Sequence, residues 1–171
     1  TGIGVLDESA GNVPSPTGEG DAVQLAIGQG TLLVTPLQVA TFIAALGNGG
    51  TLYTPQLVDH YLDANGNIID PFTPQTHGSL PISEENRQII IEAMRWVTSE
   101  QRGTAYSTFY NRYYPVYGKT GTAQTSLEAP HSWFAGFTDA NEPGKPDIAV
   151  VVFTEFAGEG SEVSAPIFRR V

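Results

Sequence analysis

Lys119, Thr120, Gly121 and Thr122 are consecutive residues whose types could do chemistry together. An ammonium on a strand edge attracts a substrate carboxylate and influences proton transfers beside it. A neighbouring hydroxyl can hydrogen-bond the same carboxylate. Gly121 has no Cβ, so a substrate or a second backbone can come close. The N–H of Thr122 can face a developing oxyanion, an interaction that often supplies the largest share of catalysis. Such a set suits acyl transfer. The tripeptide Lys-Thr-Gly alone is weak, because average residue usage places one in about 4% of chains this long. A strand lysine is also most often just a solvated side chain. Context raises this one: Gly103-Thr104-Ala105 precedes it after a helical pattern, and a Trp/Phe strand and a β-branched strand follow.

The other reactive residues favour structural roles. His60, His77 and His131 lack metal-ligand spacing, and there are no cysteines, so neither metal nor cofactor is expected. Asp7-Glu8 and Glu84-Glu85 suit a loop and a helix start better than an acid–base pair. Tyr106, Tyr110, Tyr113, Tyr114 and Tyr117 could form a sugar-binding surface, but packing of an irregular segment is the better reading. Gly28 and Gly30 are not followed by the Gly-Lys-Ser/Thr of a phosphate loop. Eight basic against eighteen acidic residues give a net charge of −10. With no Lys/Arg run, the balance argues against nucleic acid. No apolar run approaches the roughly 20 residues that cross a bilayer.

The elements that must hold the candidate site follow from periodicity and punctuation. Residues 1–30 are rich in Gly, Pro, Asn and Asp and read as loop. Thr35-Pro36 reads as an N-cap and first helical residue, with Leu37, Ala40, Thr41, Ala44 and Ala45 at helical spacing and Gly47-Asn48-Gly49-Gly50 as the stop. Residues 52–62 read as extended, Asn65-Gly66 as a hairpin turn, Ile68-Ile69 as the returning strand and 71–81 as a polar loop. Ser83 with Glu84 and Glu85 opens a second helix, striped by Ile90, Ile91, Met94 and Val97 and ending near Arg102. Three strands follow at 117–124, 132–137 and 148–156, with links short enough for an antiparallel meander. Ala165-Pro166 starts a final helical turn.

With these residues in view, the sequence resembles the serine penicillin-binding proteins. Lys-Thr-Gly is one signature of that family and of the related β-lactamases. Ala26-Ile27-Gly28-Gln29-Gly30 with Leu33-Val34-Thr35-Pro36-Leu37-Gln38-Val39-Ala40 is similar to the "IGQG…TPLQ-A" block of the high-molecular-weight members, a long and specific signal. Tyr117-Gly118-Lys119-Thr120-Gly121-Thr122-Ala123-Gln124 and His131-Ser132-Trp133-Phe134-Ala135-Gly136-Phe137 resemble "GKTGTAQ" and "HAWF-GF". The likeness covers nearly the whole chain and points to the monofunctional, class B kind.

The resemblance implies an α/β fold with a central antiparallel sheet flanked by helices, the fold shared by penicillin-binding proteins and serine β-lactamases. It also implies a peptidoglycan D,D-transpeptidase acting through a serine acyl-enzyme. Lys119 would orient and protonate groups at the centre. Thr120 and Thr122 would bind a carboxylate, and the Thr122 N–H would form half an oxyanion hole. A D-Ala-D-Ala stem peptide or a β-lactam would lie antiparallel along Lys119–Gln124, against Gly121, Ala123 and Gln124. The family's Ser-x-x-Lys and Ser-x-Asn motifs are absent: no serine has a lysine three places on, and Ser9-Ala10-Gly11-Asn12 has the wrong spacing. Residues 1–171 are therefore expected to be the C-terminal portion of a transpeptidase domain, inactive alone, with the nucleophile-bearing part upstream of Thr1. The full-length protein would be extracytoplasmic and membrane-anchored, and an exposed face left by the absent part would favour self-association. The alternatives are a β-lactamase or β-lactam sensor of the same fold, or a non-catalytic binding module.

Overall fold

A computed structural model of the protein describes residues 1–4, 7–126, 129–144 and 146–171. Its centre is a three-stranded antiparallel sheet of β5 (Val116–Ala123), β6 (His131–Thr138) and β7 (Ala149–Thr154), with β6 in the middle. Val116 lies opposite Thr138 and Ala123 opposite His131, an unbroken register across eight residues. The meander expected from the short links is what forms.

Helices cover both faces, because side chains alternate along each strand. On one face Phe134 meets Phe109 and Phe168, with Val116, Ala105 and Ala165 completing the cluster. On the other, Ala135 and Phe137 meet Ile43, Leu46 and Met94. The first cluster is roofed by α4 (Tyr106–Phe109) and α5 (Ala165–Arg170), the second by α2 (Pro36–Gly47) and α3 (Glu84–Ser99). The mixed α/β class with a helix-flanked antiparallel sheet is thus present.

α2 starts where its sequence dictates. The Thr35 hydroxyl accepts from the Gln38 N–H at 3.1 Å, and the Gln38 carboxamide oxygen accepts from the Thr35 N–H at 2.9 Å. This reciprocal pair with Pro36 at the first position fixes the helix start. Ser83 caps α3 by accepting from the Asn86 N–H at 3.2 Å. α3 stops at Ser99, three residues short of Arg102. The chain folds back there, so tightly that a Cβ on Gly103 would sit 2.4 Å from the Val97 carbonyl oxygen.

Four expectations need correction. Residues 1–30 are not all loop: α1 spans Glu19–Ala26, with Glu19 and Asp21 in its first turn, where acids are favoured. The flanking prolines and glycines mask it. Residues 52–62 are not one strand but β1 (Thr51–Tyr53) and β2 (His60–Leu62), separated by a segment containing Pro55. The loop at 71–81 contains β4 (Thr76–Ser79), which pairs with β1; β-propensity is low in Thr-His-Gly-Ser, and the distant partner makes the strand. The stretch before β5 contains α4, and a π-helical turn, Gly160–Ser164, precedes α5. The hairpin at Asn65-Gly66 forms as read, joining β2 to β3 (Ile68–Pro71), with the Asp63 carboxylate accepting from the N–H groups of Asn65 and Asn67 at 2.8 Å each.

Candidate active site

β5 is an edge strand, so one side of its backbone is free to bond something other than β6. In an antiparallel pair, residues alternate between exchanging both backbone bonds with the partner and directing both away. Two contacts show which residues face out. The Thr120 carbonyl accepts from Lys119 Nζ at 2.8 Å, and the Thr122 carbonyl accepts from Gln29 Nε2 at 3.1 Å. Thr120 and Thr122 therefore present their C=O and N–H groups along the open edge. The Thr122 N–H proposed from sequence as an oxyanion donor lies on that edge.

Beside this edge is an open cleft of about 580 Å³, lined by Lys119 to Ala123, the Ile27-Gly28-Gln29 turn, and apolar side chains of α2 and α3. Its walls include Phe42, Ile43, Leu46, Ile90, Met94 and Val97, with Trp133 and Ala135 from β6. Lys119 is the one charged group among its described lining residues. A lone ammonium against apolar walls in a chain of charge −10 makes a local anion-attracting point, strengthened by the low dielectric of those walls.

Lys119 and Thr122 are exposed, while Thr120, Gly121 and Ala123 are half-buried in the strand. Gln124 is exposed and lies one residue past the end of β5. Five of the six residues named from sequence thus share one strand, and the sixth adjoins it. The Thr120 hydroxyl is 2.9 Å from the Thr104 hydroxyl, so Gly103-Thr104-Ala105 brings a second hydroxyl to Thr120. Sequence reasoning singled out neither Thr104 nor Gln29 as a site residue. The signal for Gln29 was the Gly-Gln-Gly turn itself, since two flexible residues around a polar one mark a presented side chain.

The glycines around the site are there for close approach. A Cβ on Gly118 would lie 2.3 Å from the Phe134 ring, which covers it. A Cβ on Gly160 would lie 2.6 Å from the Gly121 oxygen and 2.8 Å from its nitrogen. The backbone that comes close at Gly121 is thus the π-helical turn, on the side away from the cleft. That turn is pinned to β6 by Ser132 and Ser164, both fully buried, whose hydroxyls are 2.7 Å apart. The underside of the Lys-Thr-Gly strand is consequently rigid and only its edge and cleft face are free.

The remaining reactive residues sit elsewhere. Glu84 binds Arg87 through two hydrogen bonds of 2.7 and 2.6 Å, and Arg87 donates to the Leu46 carbonyl at 2.6 Å, tying α3 to the end of α2. The Arg87 guanidinium holds the Glu84 carboxyl down at about 2, with Gln88 assisting. His60 pairs with Asp59 at 2.7 Å. Among the described residues no group of three or more His, Cys, Asp or Glu is placed to hold a metal. Tyr106 and Tyr110 pack on each other at 5.8 Å, as do Tyr113 and Tyr114 at 5.0 Å.

Comparison with known proteins gives the family. The family model for the penicillin-binding protein transpeptidase domain matches residues 1–171. The peptidoglycan D,D-transpeptidase MrdA of Haemophilus influenzae is 30% identical over all of this chain, which spans 30% of that relative's length. The solved structure of Pseudomonas aeruginosa PBP2 in complex with WCK 5153 is 33% identical, with a TM-score of 0.70 over 85% of this chain and 30% of that one. Penicillin-binding protein A from M. tuberculosis, solved as an imipenem acyl-enzyme complex, is 25% identical, with a TM-score of 0.78 over 96% of this chain and 36% of that one. The chain belongs to the penicillin-binding protein transpeptidase family.

Proposed function

We propose that Lys119–Gln124 is the substrate-binding strand of a peptidoglycan D,D-transpeptidase whose nucleophilic serine lies outside these 171 residues. The observation that carries this reading is the open edge of β5, with Thr120 and Thr122 facing out beside an apolar cleft whose described lining residues include one cation, Lys119. An extended stem peptide adds to such an edge as a further strand, main-chain bonds giving affinity and the cleft giving selectivity. Lys119 attracts the terminal carboxylate and, with the hydroxyls of Thr120 and Thr122, fixes it. Ala123 and Gln124 continue the strand under the rest of the stem.

The chemistry divides one hard step into two. The serine Oγ bonds to the carbonyl carbon of the D-Ala–D-Ala link, the C–N bond breaks, and the terminal D-alanine leaves with the serine's proton. The acyl carbon is then attacked by the amine of a neighbouring stem, releasing the serine with its proton restored. In both steps the carbonyl oxygen becomes an oxyanion, and the Thr122 N–H stabilises it. A β-lactam acylates the same serine, and its ring carboxylate takes the place of the stem's.

A peptidoglycan substrate puts the complete protein outside the cytoplasmic membrane, held there by an anchor beyond this chain; among the described residues no helix is long and apolar enough to cross a membrane. The apolar cleft wall, with Phe42 45% and Ile90 37% exposed, is the face on which the serine-bearing part rests. In the isolated chain it favours self-association.

A fluorescent penicillin distinguishes the readings. The full-length protein is expected to carry one stable label on a serine upstream of Thr1, and the 171-residue chain none. Label on a serine within the chain would overturn the assignment, and rapid release of hydrolysed penicillin would indicate a β-lactamase instead.

A further inference from the structure

Gln29 makes a contact that competes with strand addition. Its carboxamide donates to the Thr122 carbonyl across 93 residues of sequence, at 3.1 Å. That carbonyl is one of the outward acceptors on the open edge, the position an added strand fills with an amide N–H. A glutamine carboxamide and a peptide amide offer the same donor, and the two compete for that one oxygen.

The surrounding turn is built to present this side chain. Gly28 and Gly30 both adopt positive φ, 73° and 76°, a conformation in which only glycine is unstrained. The Gly28 N–H donates to the Leu25 carbonyl at 3.0 Å and the Gln29 N–H to the Gln24 carbonyl at 2.9 Å. α1 is thus the anchor of the turn, which gives a purpose to a helix that buries no residue of its own.

We infer that Gln29 is a specificity-setting positioning residue: its carboxamide occupies the Thr122 carbonyl in the resting site and yields it only to an acyl donor that brings its own amide N–H. A donor with that amide exchanges one hydrogen bond for another. A donor without it leaves Gln29 in place and neither gains nor loses at this carbonyl. The inference rests on β5 being the substrate strand, as proposed above.

The test uses the full-length enzyme and two acylating probes. Benzylpenicillin carries its side chain through an amide; imipenem carries a hydroxyethyl group and no amide there. Second-order acylation rates are measured for both with the natural enzyme and with Gln29→Ala and Gln29→Asn, the latter keeping a carboxamide too short to reach. Removing the competitor speeds the amide-bearing probe alone. The benzylpenicillin-to-imipenem rate ratio should therefore rise about 2- to 10-fold in both variants, the equivalent of one ordinary neutral hydrogen bond. A ratio that stays the same or falls, even with both rates reduced, overturns the inference, since a purely structural Gln29 slows both probes together. Failure of the natural enzyme to react with either probe would instead defeat the proposed function.

Discussion

On the Phe134 face of the central sheet the backbone of β5 is packed shut around Phe134 and the π-helical turn. Phe134, Ser132 and Ser164 are fully buried, Gly118 and Gly160 leave no room for a Cβ, and two helices close the layer. On the Lys119 face the same strands are covered only at one end, by Leu46, Ile43 and Met94, and the layer then opens into a cleft walled by half-exposed Phe42 and Ile90. The difference separates two duties. The closed face fixes where the backbone of β5 lies, and on the proposed function the open face and edge use that fixed backbone to meet a ligand. A donor such as the Thr122 N–H can stabilise developing charge cheaply only if it does not have to be reorganised when the charge appears.

Substitutions on the two faces should therefore separate stability from chemistry. The largest effect is expected at Phe134, whose truncation to alanine should cost about 3–5 kcal/mol in denaturant unfolding. Gly118→Val strikes the same contact from the other side, since its first added carbon already overlaps the Phe134 ring, and should also destabilise, by no more than Phe134→Ala. Lys119→Ala in the full-length protein should do the reverse. Its unfolding free energy should stay within about 0.5 kcal/mol of the parent, while the rate of penicillin acylation falls by about 100-fold or more. Equal losses of stability and acylation in both variants would erase the distinction between the faces.

Much of this division could be read from residues before any coordinates. Thr35-Pro36-Leu37-Gln38 carries its own capping box, and Ser83 its own cap, so both helix starts were local facts. β5, β6 and β7 were legible from aromatic and β-branched runs joined by short links. The candidate site was legible as a segment, because Lys119 to Ala123 is continuous along one strand. What could not be read depends on partners far along the chain. β4 is a strand because β1 lies beside it, α1 is hidden by the glycines and prolines around it, and Gln29 reaches Thr122 across 93 residues. Gly121 reads as room for a substrate or a second backbone, and that the second backbone is Gly160 is a contact only the folded chain reveals.

The closed end of the Lys119 face offers a sharper test with a pH signature. Arg87 is the clamp there, bonded to Leu46 and Glu84. Arg87→Met should destabilise by about 1–3 kcal/mol by leaving the Leu46 carbonyl without its donor. The Glu84 carboxyl titrates at about 2 in the folded chain against an ordinary 4.5. Its stabilising contribution is therefore complete above pH 4.5 and is lost as pH falls toward 2. Thermal melts between pH 2 and 6 should show the gap between the parent and Arg87→Met narrowing over that window. A gap that stays constant would mean the pair contributes nothing.

The smallest expected effect on folding is at the open wall. Phe42→Ser with Ile90→Ser should leave the melting temperature of the 171-residue chain nearly unchanged but reduce its self-association in sedimentation. No change in association would show that this wall is not the adhesive face.

The central claim is that β5 receives its ligand as an added strand along an edge already held in place. Amide hydrogen exchange, resolved at Thr120 and Thr122 in the full-length protein before and after acylation by benzylpenicillin, tests it most directly. Acylation is expected to slow exchange at one or both of these outward N–H groups, with Phe134 on the central strand unchanged. Unaltered exchange at Thr120 and Thr122 in a fully acylated sample would contradict the account.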